Sequence, residues 1–445
     1  MSHGFAQRRL HCDTRRAHRG GMVKEHKKVV HLSTIDVKGG AARSAYRLHQ
    51  GLQRIGWPST MFVMDKTCPD QTIVRFEPPE GVVARVNNRV RRETIARDFS
   101  LYCESRPEGY ELFSDDRSRF GGTIVEQVPQ CDVINLHWVA GMLDYVSSLP
   151  RLTQMAPVVW TLHDMNAFTG GCHYDHRCGR FSGSCGGCPQ LGSHQEQDLS
   201  RAVWERKKQA IQAVTTGRLR IVTPSRWLAD EARKSSMFSK TRVDVIPYGL
   251  DLEVFAPRDK AYSRDLLGIP QDARVVFFLS DIVDNRRKGF SFLLEALPHC
   301  AKRVEKLLLV SLGQQPPQAD GRMPWLHLGS IHDDRLLSAV YSAADLFILP
   351  SLQDNLANTV LESMACGVPV VSFDVGGTPD MVRPGITGQL VPAYDVPGLA
   401  STIVELLNAP DALRTMSAHC RRVALEDYPL VLQAQRYASL YQELA

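Results

Sequence analysis

LFILPSLQDNLANTVLESMACGVPVVSFDVGG, residues 346–377, opens with an apolar run that reads as a buried strand ending at Pro350. A polar loop follows, and a helix begins near Leu356–Ala357. The first N–H groups of a helix lack partners and carry a positive partial charge, an arrangement that suits a pyrophosphate. Glu362 falls about a turn and a half inside that helix. From there its carboxylate can reach a vicinal diol such as a ribose 2′,3′-hydroxyl pair, while Asp354 in the loop faces the other end of the same ligand. The backbone at Leu356, Ala357 and Asn358 lies between the two acids.

Working outward, Asn285-Arg286-Arg287-Lys288-Gly289 falls just after a run at 274–279 that reads as the first strand of the same unit. Open α/β sheets bind ligands at such strand ends. Arginine forks across two phosphate oxygens and lysine acts as a point charge, so Arg287 and Lys288 are candidate diphosphate ligands. Singly, a solvated basic turn and an ordinary helix start explain these features. In this order on one sheet they point to an anion site.

Strand-like and helical patterns alternate through the whole chain, which predicts an α/β protein with parallel sheets. Strands are expected at 28–32, 59–64, 133–136, 158–162 and 220–222. After the Pro/Gly-punctuated segment 243–257 (VDVIPYGLDLEVFAP) the alternation restarts, with strands at 274–279, 306–312, 325–328, 346–349, 368–373 and 389–391. At 445 residues the chain exceeds one ordinary core. Two doubly wound units follow: residues 28–246, including a Cys-rich loop at 170–190, and residues 247–428. A last helix over 429–445 is expected to pack back on the first unit.

In the first unit, Gly39 and Gly40 sit between the opening strand and its helix, where glycine lets the backbone come close to a ligand. Alone this pair is weak, because the full dinucleotide fingerprint is missing. His163 follows the strand at 158–162, and His137-Trp138 follows the one at 133–136. A histidine at either place serves structure as readily as chemistry.

Eleven cysteines are present, and four cluster as Cys172, Cys178, Cys185 and Cys188 in a C-x5-C-x6-C-x2-C pattern. A tetrahedral structural zinc and a loop of free or paired thiols are both open readings of that cluster. Residues 1–28 carry eight Lys/Arg against two acids without an apolar centre. Residues 1–27 therefore read as a disordered basic leader, or as sequence upstream of a start at Met22, ahead of an Arg-rich presequence. With no export signal and an odd cysteine count, the protein is expected in the cytoplasm. A net charge of +5 gives no argument for nucleic acid. The basic segment 82–99, with Arg85, Arg89, Arg91, Arg92 and Arg97 among valines, reads as a solvated helix, with an anionic-membrane contact as the sharper alternative.

The acid pair Asp354/Glu362, the tail Glu362–Gly367–Pro369 with Gly376–Gly377, the segment VIPYGLDLEVFAP and RRKGF together resemble the GT4-type retaining glycosyltransferases of the GT-B fold, in consistent order over about residues 28–440. The segment holding the four cysteines resembles a subgroup that includes colanic-acid-type exopolysaccharide glycosyltransferases. The resemblance implies two Rossmann-like domains facing a cleft. Asp354, Glu362 and His163 would be its catalytic residues, with Glu362 on the donor ribose, Asp354 on the hexose hydroxyls and His163 lining the sugar pocket. Gly39, Gly40, Arg287, Lys288, Leu356, Ala357 and Asn358 would bind the donor. The implied donor is a UDP- or GDP-linked hexose, the acceptor a saccharide or polyprenyl-linked sugar, and no cofactor is needed for catalysis. Transfer would proceed by front-face attack, the leaving diphosphate assisting acceptor deprotonation. A peripheral place on the inner face of the plasma membrane goes with such an acceptor. An epimerase or hydrolase on the same fold, and an inactive nucleotide-sugar-binding protein, are the alternatives. This chain departs from the family at Asp354, where the usual residue is Glu.

Overall fold

The computed structural model describes residues 26–280, 285–314 and 323–445; nearly all of the basic leader expected over residues 1–27 lies outside them. Seven strands build the first sheet: β1 (Val29–Ile35), β2 (Ser59–Asp65), β3 (Ile73–Arg75), β4 (Val133–Leu136), β5 (Val158–Thr161), β6 (Leu219–Thr223) and β7 (Val243–Val245). Six more build the second: β8 (Arg274–Leu279), β9 (Leu307–Leu312), β10 (Trp325–His327), β11 (Leu346–Leu349), β12 (Val370–Phe373) and β13 (Gly388–Val391). The orders are β3-β2-β1-β4-β5-β6-β7 and β10-β9-β8-β11-β12-β13. All pairings between these strands are parallel. Each sheet thus reverses its winding direction at one place, between β1 and β4 and between β8 and β11. Ligands of open parallel sheets bind outside the strand ends at such switch points.

Near-continuous apolar strands make this arrangement, because helices cover both faces of a parallel sheet. Ile134, Leu136, Val158 and Trp160 enter one core with Phe62, Leu149 and Phe238. Val276, Leu309, Ile348 and Val371 enter another with Leu293 and Ile403. The chain returns at its end: the Leu430–Leu444 helix lies along the Gly40–Arg54 helix. Ala434, Tyr437 and Tyr441 pack there with Leu52 of that helix and with Val29, Val133 and Val159 of the first sheet's other face. Asn135 Nδ2 donates to the Tyr441 hydroxyl at 2.7 Å, fixing that return.

Sequence patterning misses β3, a three-residue edge strand too short to show alternation. The basic segment does form a helix, Val82–Ser100, but it buries no residue. Among the described residues no helix is long and apolar enough to cross a membrane.

Candidate active site

Both switch points open on the same cleft, and the donor loop is built by close backbone packing. Gly289 has φ +66°, and a Cβ there would lie 1.9 Å from the Pro350 carbonyl oxygen. Gly376 has φ +56°, with its missing Cβ 2.0 Å from the Asp354 carbonyl oxygen. Only glycine satisfies both demands at these two positions. The Arg286–Lys288 turn and the Asp354 loop are thereby pressed together. The helix that follows, Asn358–Ala365, has Ala357 at its N-cap, and no side chain caps it. Its leading N–H groups are thus left for a ligand or solvent.

Asp354 is buried and ringed by donors. Lys288 Nζ lies 2.7 Å from its Oδ2 and Arg287 Nη1 3.2 Å from the same oxygen. Ser351 Oγ adds a bond at 3.3 Å, and the Tyr174 hydroxyl reaches Oδ1 at 3.5 Å. Burial alone would raise this carboxyl; Lys288 and Arg287 outweigh it and hold the pKa down at about 2. Arg287 is buried too, donating to the Gln353 carbonyl at 2.7 Å and pairing with Glu111, while its guanidinium stacks over Tyr174. Burial works against its charge, but Asp354, Tyr174 and Glu111 raise its pKa further. Of the two predicted phosphate cations, Arg287 is the one locked in place; Lys288 is partly exposed and on a flexible stem.

Glu362 is likewise buried, on the fifth residue of its helix. Its Oε2 accepts the Tyr341 hydroxyl at 3.1 Å, and its Oε1 lies 2.8 Å from Arg47 Nη2, which comes from the opposite domain. Asn358 joins the same contact, its Nδ2 donating to Ser44 Oγ at 2.9 Å and to the Gly40 carbonyl at 3.2 Å. Gly40 therefore faces the Asn358 end of the donor helix. Gly39 is required by its φ of +88° and not by crowding, since a Cβ there would meet nothing within 4 Å.

His163 reaches the donor loop through its carbonyl, which accepts Asn355 Nδ2 at 2.9 Å, while Asn355 Oδ1 accepts Ser225 Oγ–H at 2.6 Å. Both ring nitrogens are engaged elsewhere, Nε2 with His137 Nδ1 at 3.0 Å and Nδ1 with the Tyr248 hydroxyl at 2.7 Å. His137 Nε2 continues to His31 Nδ1 at 2.9 Å. Burial keeps all three rings neutral: it draws His163 down to about 4 against the pull of Asp164, and His31 and His137 well below the ordinary value, helped by the neighbouring imidazoles. A neutral imidazole has one donor and one acceptor, so all the bonds of the chain that links the sheet to Tyr248 on the interdomain segment point the same way. Beside it, Asp164 Oδ2 bonds His173 Nδ1 at 2.7 Å and His173 Nε2 bonds Ser114 Oγ at 2.7 Å, orienting Trp138, whose ring stacks on His173.

The four clustered cysteines line one small cavity beside this network. Among the described residues, however, no three His, Cys, Asp or Glu side chains form a group that could hold a metal ion. Cys178 is exposed while the other three are buried. Burial pushes Cys185 up to about 12 and Cys188 up to about 11, favouring the neutral thiols.

Sequence reasoning missed Arg43, Arg47, Glu111, Tyr174, Tyr341 and Asn355. Arg43 and Arg47 had a readable signal, an i,i+4 basic pair one turn after a glycine loop. Tyr341 comes from a neighbouring helix of the same domain, and Glu111, Tyr174 and Asn355 become visible only when the two domains meet.

Two Rossmann-like parallel sheets whose switch points share one cleft define the GT-B glycosyltransferase architecture. Solved structures of that fold superpose on nearly the whole chain. Sucrose-phosphate synthase from Thermosynechococcus elongatus matches with TM-score 0.61 at 20% identity, covering 94% of this chain and 98% of that one. HepE from Anabaena, solved in complex with UDP-glucose, matches with TM-score 0.60 at 15% identity over 94% and 100%.

The model for Glycosyltransferase Family 4 matches residues 38–254, and that for Glycosyl transferases group 1 matches residues 273–409. The chain belongs to the GT-B glycosyltransferases that these two models describe. Its curated relatives include D-inositol 3-phosphate glycosyltransferases. That of Mycobacterium sp. (strain KMS) is 30% identical over 66% of this chain, and that of Thermobispora bispora 34% identical over 45%. These alignments span 62% and 50% of the relatives' own lengths.

Proposed function

We propose that this chain is a retaining hexosyltransferase. It moves a hexose from a UDP- or GDP-linked donor to a saccharide or polyprenyl-linked acceptor in bacterial cell-surface polysaccharide synthesis. One observation carries the reading: Asp354 and Glu362 flank an uncapped helix N-terminus, with Lys288 and Arg287 on one side. In that arrangement Glu362 takes the ribose diol, the helix N–H groups and Lys288 meet the diphosphate, and the Asp354 loop meets the sugar. Charge building on the leaving diphosphate is stabilised where it develops, by groups already oriented for it. The bond from the anomeric carbon to the diphosphate oxygen breaks as the acceptor oxygen bonds that carbon from the same face, and the acceptor proton passes to the departing diphosphate.

HepE, solved with UDP-glucose, supports a uridine donor through its fold alone. The names of the curated relatives favour a second acceptor class, an inositol phosphate. Incubation of the protein with UDP- and GDP-hexoses, and with either a polyprenyl-linked saccharide or inositol phosphate, tests the reading. An α-linked product from an α-linked donor is expected. Donor conversion that ignores every acceptor would identify an epimerase or hydrolase, and tight donor binding without turnover a binding protein.

The Val82–Ser100 helix supports a peripheral contact with anionic membrane in this reading. Val82, Val86 and Val90 fall on one face and are exposed, beside Arg85, Arg89, Arg92 and Arg97. Such a helix brings the cleft to a lipid-linked acceptor.

A further inference from the structure

The ion pair between Arg47 and Glu362 puts a side chain of one domain on the carboxylate that, in the reading above, belongs to the donor ribose. Both partners are nearly inaccessible, their side chains 7% and 2% exposed. The other carboxylate oxygen is held by Tyr341. A vicinal diol that bridges Glu362 must therefore displace a guanidinium.

The structure also supplies a place for that guanidinium to go. Asp334, at the start of the Asp334–Ala343 helix, has Oδ2 only 3.7 Å from the same Arg47 Nη2. Arg43, one turn earlier, already pairs with Asp334 at 3.4 Å and lies 3.9 Å from Glu362. Asp334 is partly open to solvent, so a cation moved there is neutralised and hydrated. Breaking a buried pair by stranding one charge is costly; a second acid within reach removes that cost.

We propose that Arg47 is a placeholder for the donor ribose: it occupies Glu362 across the closed cleft and transfers to Asp334 when the 2′,3′-diol arrives. Arg47 is on this account a positioning residue that acts through Glu362, and Asp334 is its second berth. The proposal rests on Glu362 as the ribose ligand. Because the competition is for the diol, its signature lies in the hydroxyls and not in the phosphates.

The test compares nucleoside diphosphates with their 2′,3′-dideoxy analogues (UDP, GDP and ADP with each counterpart) by calorimetry on the full chain. Apparent affinity falls with the fraction of molecules competent to bind. If the pair is formed in roughly nine molecules of ten, Arg47→Met raises the preference for the diol over the dideoxy compound about tenfold. Asp334→Asn removes the second berth and lowers the same preference, giving a reading of opposite sign should the arginine variant not fold.

Equal losses for both compounds in Arg47→Met would make Arg47 a phosphate ligand and overturn the proposal, as would no change in preference in either variant. Glu362→Gln separates the underlying reading. If wild type shows no preference for the diol and Glu362→Gln changes nothing, Glu362 is not the ribose ligand and both fall. If Glu362→Gln abolishes a preference that Arg47→Met and Asp334→Asn leave untouched, only the placeholder falls.

Discussion

Lys288 Nζ and Arg287 Nη1 converge on one oxygen of Asp354, at 2.7 and 3.2 Å, so the acid of the donor loop is neutralised from both sides before any ligand binds. The family's usual Glu would reach one methylene further. Here the shorter Asp stays within the reach of the two cations.

Asp354→Asn keeps the shape and removes the charge. It leaves Arg287 buried against a neutral amide, with Glu111 as its remaining acid. Removing one partner of a buried pair costs about 3–5 kcal/mol, and Glu111 puts this case near the lower end. Urea denaturation is expected to show that loss, and calorimetry a weakened nucleotide affinity. Asp354→Glu retains the charge and is expected to bind nucleotide within about threefold of wild type, a difference below 1 kcal/mol. If Asp354→Asn were as stable as wild type, the proposed cage would be wrong.

Glu362→Gln addresses the other end of the same loop and helix. Hydrogen bonds to charged groups contribute about 1.5–3 kcal/mol, equivalent to roughly 10–100-fold in affinity. Nucleoside diphosphate binding should weaken by that factor, and hexose transfer should fall with it. Full affinity in this variant would remove Glu362 from the donor site.

Much of this site was legible beforehand because it is local. Strand, loop and helix start within residues 346–377 fix where Asp354 and Glu362 sit, and RRKG falls at the matching end of β8. The cross-domain partners were not legible, for a physical reason. Whether Arg47 meets Glu362 or solvent depends on the closure of two rigid units, which no local pattern encodes. The imidazole chain is similar: His31, His137 and His163 belong to three separate segments and touch only because β1, β4 and β5 are neighbours. The cysteines are a different case: their spacing is local, but their burial is not, with Cys178 exposed and Cys172, Cys185 and Cys188 buried.

The imidazole chain, together with buried His49 on the Gly40–Arg54 helix, predicts how stability depends on pH. His31, His49, His137 and His163 are all held below the ordinary value of 6.5 in the folded state, His49 and His163 at about 4. Between about pH 6.5 and 4 the unfolded chain binds these protons and the folded chain does not, so stability falls as pH falls. Asp116 opposes this: burial raises it to about 6, so the folded state takes up its proton first. Each net proton taken up on unfolding changes stability by about 1.4 kcal/mol per pH unit. Denaturation midpoints should drop from pH 7 to pH 5, and His137→Gln should flatten the drop. A midpoint that rises over this range would contradict neutral, buried rings.

Gly376→Ala tests the close approach that seats the donor loop. Its Cβ would enter the Asp354 carbonyl at 2.0 Å from a left-handed backbone, so the loop itself must move. Overpacking of this kind costs roughly 1–3 kcal/mol, with the strained φ added to it. The expected result is lower stability together with weaker nucleotide binding, because Asp354 is displaced from Lys288. Gly385→Ala is the control: its φ is also positive, at +75°, but a Cβ there meets nothing within 4 Å. Equal binding by the two variants would mean that the Gly376 contact does not position the site.

The Val82–Ser100 helix poses the remaining test, because a nineteen-residue helix with no fully buried residue, anchored at its end by Phe99 against Phe113, draws little of its stability from tertiary packing. Its outer face sets exposed Val82, Val83, Val86 and Val90 beside arginines, and Arg91 ties its other side to Asp144 at 2.8 Å. An apolar stripe flanked by cations lowers its free energy at an anionic lipid surface, each arginine adding about 1 kcal/mol. Sedimentation with phosphatidylserine-containing vesicles should therefore recover the protein at low salt and lose it as salt rises, since the attraction is screened within a Debye length. Replacing Arg85, Arg89 and Arg92 by Gln should release it while leaving soluble nucleotide binding intact, because none of these side chains reaches the cleft residues. Binding that persists in that variant, or that ignores salt, would leave the helix as a solvated face and would move the lipid-linked acceptor to another surface.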